Sequence, residues 1–392
     1  MPDPVRIIPV WHREGRMKRK IALIFGGRSL ESDISVITAM QALAVLRETD
    51  FDVTPVYIAA DGGFYADGVD EVSAFTPFDA SRHKRLVLAD GVFSKLRKGK
   101  LKRVFRPDAA LVCCHGGEGE NGVLQGVLEF NGVPYTSAGV LGSALMMDKA
   151  AAKCAFEQML LNVLPYVVVG SQEVEADADG AAERCEEALG LPVIVKPASQ
   201  GSSIGISAAH DRGELSSALA LAAKFGEKLV VEQLLEDFAE VNCAAYGRGE
   251  EVVVSETERP LSSGELLTFD DKYLSSGKAG SGRVTPADVG EEMNALIGSL
   301  TERIYRALGL RGVVRMDFLA DRARGKVYIN EVNTVPGSMA FYLFEAAGVS
   351  FSDILTDIIE DAIARGRAAK RTAAFPSRVL EFYGKGGAKT AK

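Results

Sequence analysis

Short apolar runs that end in glycine and give way to helical periodicity restrict this fold more than any other feature. Ile21–Phe25 runs into Gly26-Gly27, and a helical pattern follows to about Leu46. Val53–Ala59 and Ala109–Cys114 read as further strands bounded by turn residues, with a helix at Val123–Asn131. Such alternation makes residues 18–138 an expected parallel α/β domain.

At 392 residues the chain exceeds one ordinary core. A second block begins near Asp148, with a helix through Leu160, a further helix at Ala181–Leu189 and flanking strands at Tyr166–Val169 and Pro192–Lys196. A third opens at Lys228 and holds strands at Val241–Tyr246 and Val252–Glu256. Its helix, Met293–Leu308, leads into the strand pair 313–320 and 327–333. The expected domains are 18–138, 139–229 and 230–385. Residues 1–17 are basic, lack the apolar stretch of a secretory signal, and are expected to lie outside the fold. The tail from Gly384 is expected to be disordered. Residues 262–283 form a long Gly- and Ser-rich loop inside a compact domain, which reads as a lid carrying Lys272 and Tyr273 inward.

Composition narrows the function. Apolar content of 47% and charged content of 25% belong to a soluble globular protein, and no apolar run is long enough to cross a bilayer. A net charge of −8 argues against nucleic acid as the main partner. Five cysteines without a CxxC pair fit reduced thiols in a cytoplasmic protein, and four histidines do not suggest a zinc cluster.

The last strand pair carries the first chemistry. Alternation puts Glu331 and Asn333 on one strand face, and Arg315 and Asp317 on one face of the preceding strand. A hairpin centred near residue 324 sets Asp317 across from Glu331 and Arg315 across from Asn333. Two facing carboxylates repel and need a cation; with an amide oxygen they suit Mg²⁺. A solvated hairpin is the competing reading, and a one-residue slip would separate the two acids.

The stretch "VIVKPASQGSSIGIS" (193–207) is a strand followed by a glycine-rich loop, where successive N–H groups can form an anion site beside Lys149 and Lys196. A plain surface turn competes with that reading. "GEGENG" (117–122) matches GxGxxG literally, but Glu118 and Glu120 would face a pyrophosphate, so a dinucleotide site is not expected. His115 sits at a strand end beside this turn, where α/β sheets bind ligands. In "FGGRSLESDIS" (25–35), Ser29 or Ser32 is a candidate helix cap, and Glu31 in such a crevice suits an ammonium.

Taken in order, "GGRSLESDIS", "HGGEGENGVLQGVLEFNGVPYTSAGVLGSALMMDK", "VKPASQGSSIG", "KY", "RMDF" and "NEVNTVPGSM" resemble the D-alanine–D-alanine ligases of the ATP-grasp fold, from about Lys20 to Ala362. The resemblance implies a three-domain α/β architecture and ATP-dependent joining of two D-alanine molecules through an acyl phosphate, for peptidoglycan synthesis. It implies two Mg²⁺ or Mn²⁺ ions at Asp317, Glu331 and Asn333. Lys149, Lys196, Ser203, Glu232, Leu235, Glu240, Lys272 and Asn330 would bind ATP. Glu31 would hold the first substrate's ammonium, with Ser202 and Tyr273 as hydrogen-bond partners, and Arg315 and the Gly337 N–H would stabilise the oxyanion. His115, Glu120, Ser338, Tyr342 and Leu343 would line the substrate cleft. A cytoplasmic homodimer is implied as well.

Asn121, Thr268-Phe269-Asp270 and Tyr342 depart from the commonest family pattern. Tyr342 stands where a smaller hydroxyl residue helps bind the second substrate, and is expected to keep that hydroxyl function from a longer reach. A ligase with a different acceptor is the nearest competitor. A catalytically silent nucleotide-binding protein is the other, against which the full set of acids, lysines and Arg315 speaks.

Overall fold

The computed structural model describes residues 18–261, 282–369 and 379–384. The expected extension 1–17, the tail beyond Gly384 and nearly all of the expected lid, including Lys272 and Tyr273, lie outside the described residues.

One seven-stranded sheet comprises β1 (Arg19–Gly26), β2 (Phe51–Ile58), β3 (Phe64–Ala66), β4 (Lys84–Ala89), β5 (Val92–Arg97), β6 (Lys100–Phe105) and β7 (Ala109–Val112), in the order β6-β5-β4-β3-β2-β1-β7. Only β2, β1 and β7 run parallel. The expected parallel arrangement is found in these three strands, while from β2 to β6 the pairing is antiparallel and extends the sheet as a meander. The cause is local: Asp90-Gly91 and Lys98-Gly99 take positive φ, the backbone of two-residue hairpin turns. On β1, Ile21, Leu23 and Phe25 face one core while Ala22 and Ile24 face another, so helices can cover both sides.

A four-stranded antiparallel sheet follows, ordered β10-β9-β11-β8 from β8 (Tyr166–Gly170), β9 (Val193–Pro197), β10 (Ser207–Ala209) and β11 (Lys228–Gln233). The expected boundary at 229/230 falls inside β11, which is bonded on both edges within this sheet. The third block therefore opens beyond Gln233, because an apolar run does not reveal which sheet it will join. Helices Ala178–Leu189 and Arg212–Ala222 fill one face of this sheet.

The five-stranded antiparallel sheet has the order β14-β13-β12-β15-β16, with β12 (Ala239–Arg248), β13 (Glu251–Pro260), β14 (Arg283–Val284), β15 (Val313–Asp321) and β16 (Lys326–Asn333). The helix Glu291–Ala307 packs Ile297 and Ile304 against Val314, Met316 and Phe318 on one face. The other face of β12 changes character along its length. Tyr246 and Ala244 join the core that contains Ile21, Leu23 and Phe25 of β1. Asn242 and Glu240 follow by alternation on the same face, and Glu240 lines a cleft between the second and third sheets.

Candidate active site

The cleft has a volume of about 350 Å³ and is lined by Lys149, Lys196, Glu232, Leu235, Glu240 and Asn330, with Ser203 above them. It shares Lys149, Gly201 and Glu331 with a smaller hollow walled by Glu31, His115, Glu120, Arg315 and Gly337.

The β15–β16 hairpin brings the acids together in the expected register: Asp317 pairs with Glu331, and Arg315 with Asn333. The register then shifts, because Phe318 faces Ile329 and leaves Asn330 as an extra residue. This bulge has a use. Val327, Ile329 and Val332 face the core, so Asn330, Glu331 and Asn333 all turn to the cleft. Strict alternation would have sent Asn330 away. Arg315 donates to both oxygens of Asp317 at 2.7 and 2.8 Å, and Asn333 Nδ2 donates to Oδ2 at 3.0 Å. Two carboxylates and an amide form an all-oxygen donor set that fits Mg²⁺ sharing its other positions with phosphates. Among the described residues no three His, Cys, Asp or Glu side chains converge as a closed cage.

Two lysines, Lys149 and Lys196, face this hairpin, and a third, Lys153, lies behind them against Glu232 of β11. Asp148 caps the helix Lys149–Gln158 by accepting from the Ala150 and Ala151 N–H groups. Lys149 and Lys153, one turn apart, then share a helix face. Lys149 Nζ lies 3.4 Å from Glu331 and donates to the Gln200 carbonyl at 2.7 Å, anchoring the glycine-rich loop. Lys196 Nζ bridges Glu232 and Asn330, both at 3.1 Å, and Lys153 Nζ lies 3.3 Å from Glu232. Burial would raise the Glu232 carboxyl, but Lys196 and Lys153 outweigh it and hold the group below its ordinary value. Glu232 Oε1 is buried and has no hydrogen-bond partner among the described residues. Lys153 was not singled out from the sequence; its spacing from Lys149 was the available signal.

Glu31 stands where the three sheets' loops meet. Ser202 Oγ donates to Glu31 Oε1. A Cβ on Gly116 would lie 2.4 Å from Glu31 Oε2, and one on Gly201 would lie 2.9 Å from it, so both glycines are needed to cradle the carboxylate. Neither Ser29 nor Ser32 caps the helix Ser32–Leu46, contrary to expectation: its N-cap is Glu31, without a side-chain cap bond. Ser29 Oγ instead donates to the His115 carbonyl at 2.6 Å.

The wall beside Glu31 is a buried relay. His115 Nδ1 lies 2.6 Å from the Val335 carbonyl, which can only accept, so Nδ1 carries the proton. Nε2 then accepts from Thr38 Oγ1 at 2.8 Å, and Thr38 Oγ1 accepts from the Ser338 N–H at 3.0 Å. Burial lowers His115 to about 4, which keeps the ring neutral. Glu120 accepts from the Val335 N–H at 2.8 Å and the Gly116 N–H at 3.0 Å. Burial, reinforced by Glu31, still pushes its carboxyl up to about 7.

On the far side, Tyr342 lies under the Arg283 guanidinium, 3.9 Å from its ring centroid. Arg283 Nη1 is 3.4 Å from Glu258 Oε2. Leu343 is fully buried in the core shared with β1, which leaves its backbone rather than its side chain for any substrate contact. Gly337 and Ser338 open the short turn Gly337–Ala340, in which Ser338, Met339 and Ala340 all have positive φ.

Two antiparallel sheets closing on a cleft of lysines and acids define the ATP-grasp class, and solved structures share the fold. VanG D-Ala:D-Ser ligase from Enterococcus faecalis superposes with a TM-score of 0.76 at 28% identity, covering 88% of this chain and 99% of that one. D-alanyl-alanine synthetase A from Vibrio cholerae gives 0.75 at 24% identity, covering 89% and 99%. Family models described as D-ala D-ala ligase N-terminus and D-ala D-ala ligase C-terminus match residues 20–138 and 155–360. A D-alanine–D-alanine ligase of Thermosipho africanus is 32% identical over 87% of this chain and 92% of its own length. One from Thermoanaerobacter is 36% identical over 88% and 97%. The chain belongs to the D-alanine–D-alanine ligase family, a family of ATP-dependent ligases. No helix among the described residues is long and apolar enough to cross a membrane.

Proposed function

We propose that this protein joins two D-alanine molecules at the expense of ATP, giving D-alanyl-D-alanine for peptidoglycan. The donor carboxylate oxygen attacks the γ-phosphorus and ADP leaves. The acceptor amine then attacks the acyl phosphate carbon, loses a proton and displaces phosphate. Since phosphate is already a good leaving group, the protein mainly contributes positioning and electrostatic stabilisation. The observation that carries the reading is Glu31, cradled by Gly116 and Gly201 and bonded by Ser202, beside the Lys149–Glu331 pair. An ammonium held there places its own carboxylate towards the phosphate-facing lysines.

In this reading Glu31 binds the donor ammonium with Ser202 and Tyr273 in support, and His115 and Glu120 fix the wall behind it. Lys149, Lys196 and Lys272 meet the phosphates, assisted by Ser203 and Asn330. Glu232 and Leu235 read the adenine, and Glu240 the ribose. Arg315 and the Gly337 N–H receive the developing oxyanion, while Ser338, Tyr342 and the Leu343 backbone border the acceptor. Asp317, Glu331 and Asn333 would hold Mg²⁺ or Mn²⁺, which neutralises charge between the phosphates. Tyr273, as the lid residue, favours an amine acceptor and hence a dipeptide product. A cytoplasmic homodimer is inferred; Val123, Val127 and Phe130, exposed along one helix face, support the association. The test is phosphate release from ATP across D- and L-amino acids, D-serine included. Dependence on D-alanine is expected, and release that needs only an L-amino acid would overturn the reading.

A further inference from the structure

Glu258 is 3% exposed, yet Oε2 has no hydrogen-bond partner among the described residues. Its contact with Arg283 Nη1, at 3.4 Å, is an ion pair without hydrogen-bond alignment. The carboxylate belongs to a row. Glu258 pairs across strands with Asn242, Asn242 with Asp317, and Asp317 with Glu331. The row crosses three strand spacings, about 14 Å. Its Glu331 end faces the phosphate lysine Lys149. The opposite end holds Glu258, Arg283 and Tyr342, where neither ATP nor the donor has been assigned a group.

Arg283 is half-exposed, but it is not a loose surface cation. Its guanidinium stacks on the Tyr342 ring at 3.9 Å, and Glu258 lies against its edge. A flat guanidinium fixed by a ring and a buried carboxylate is preorganised for bidentate recognition of an oxyanion. Arg315, which flanks the row on β15 and is bonded to Asp317, would stand beside the carbonyl under attack. An α-amino acid whose nitrogen attacks there would extend its carboxylate across the sheet face towards the Arg283 guanidinium, which lies over Tyr342.

We propose that Arg283, stacked on Tyr342 and oriented by Glu258, receives the acceptor's carboxylate. Arg283 is the specificity-determining group and Glu258 a positioning residue, while Tyr342 contributes its ring rather than its hydroxyl. This rests on the ligase reading above and deepens it. The arrangement demands a free α-carboxylate on the acceptor and leaves the donor and ATP sites untouched.

The experiment measures separate Michaelis constants for donor D-alanine, acceptor D-alanine and ATP by phosphate release. Arg283→Gln is expected to raise the acceptor constant on the order of 10- to 100-fold, the scale of a charge-assisted hydrogen bond, with the other two unchanged. Arg283→Lys restores part of the loss, which a purely structural role would not predict. Glu258→Gln gives a smaller rise of the same constant, and Tyr342→Phe a rise well below that of Arg283→Gln because the ring remains. An acceptor constant that moves with Tyr342→Phe but not with Arg283→Gln would assign the carboxylate to the hydroxyl and overturn the proposal. Equal changes in all three constants would overturn it as well. Wild-type protein that releases no phosphate with D-alanine would instead overturn the ligase reading and this proposal with it.

Discussion

The two walls of the cleft manage charge in opposite ways. On the sheet wall three acids each meet a counter-charge: Asp317 with Arg315, Glu331 with Lys149, and Glu232 with Lys196 and Lys153. On the wall beside β1, ionisation is suppressed: His115 is held neutral and Glu120 is pushed up to about 7. In the proposed function, the first wall would meet a polyanion with its metal ions, and the second a small zwitterion held by Glu31. Changing one charge should therefore be costly on the first wall and mild, but pH-dependent, on the second.

The largest effect is expected from Glu331→Gln. Removing one charge from the proposed phosphate–metal site would forfeit several kcal/mol of transition-state stabilisation, enough to abolish turnover while the fold persists. Near-normal phosphate release at saturating Mg²⁺, with unchanged circular dichroism, would remove the metal assignment. Next comes Lys153→Met, which leaves the buried Glu232 with Lys196 alone. A broken buried pair costs about 3 kcal/mol in urea unfolding, and the Michaelis constant for ATP should rise far more than those for D-alanine. A uniform rise would detach Lys153 from the nucleotide.

The second wall is probed by pH. Glu120, raised from 4.5 to about 7, contributes stability that is full below pH 4.5 and lost as pH rises through 7. His115, lowered from 6.5 to about 4, contributes stability that is full above pH 6.5 and lost as pH falls through 4. Between pH 4.5 and 6.5 these slopes oppose one another. Glu120→Gln leaves the histidine slope uncompensated, so the variant should lose roughly 2 kcal/mol more than wild type on acidification across that window. Parallel stability curves for the two proteins would show that Glu120 titrates normally. The smallest expected change is Asn330→Ala, which removes one amide contact to Lys196 and should weaken ATP binding by about fivefold. Calorimetric titration with an unreactive ATP analogue reads it directly.

The same contrast explains what could be read in advance. The sheet wall follows strand alternation, so the Asp317–Glu331 pairing was legible in the residues themselves. Asn330 was not assignable by pattern, because its orientation depends on a bulge. Lys153 had a signal in its spacing from Lys149, but its buried partner Glu232 comes from another sheet. Arg283 and Glu258 gave no local sign, since their meeting requires β13 to lie between β12 and β14. Thr38 reads only as a polar residue within a helix, and its place between His115 and Ser338 is wholly tertiary. The β4–β6 meander was the opposite case: Asp90-Gly91 and Lys98-Gly99 are local signals of its two turns, although the strands around them were not read from the sequence.

The core that joins Ile21, Leu23 and Phe25 of β1 to Tyr246, Val313 and Phe344 also takes in Ile354, Ile358 and Ile363 of the helix Phe351–Ala369. During synthesis, the first strand to leave the ribosome gains partial cover on this face from the helix Ser32–Leu46, but must wait for nearly the whole chain before that cover is complete. Native completion of the first sheet is thus tied to the last long helix, a dependence on distant contacts that slows folding and prolongs exposure of apolar surface. The four-stranded sheet, whose core is drawn from residues 169–231, has no such wait and can close while the rest is still being made.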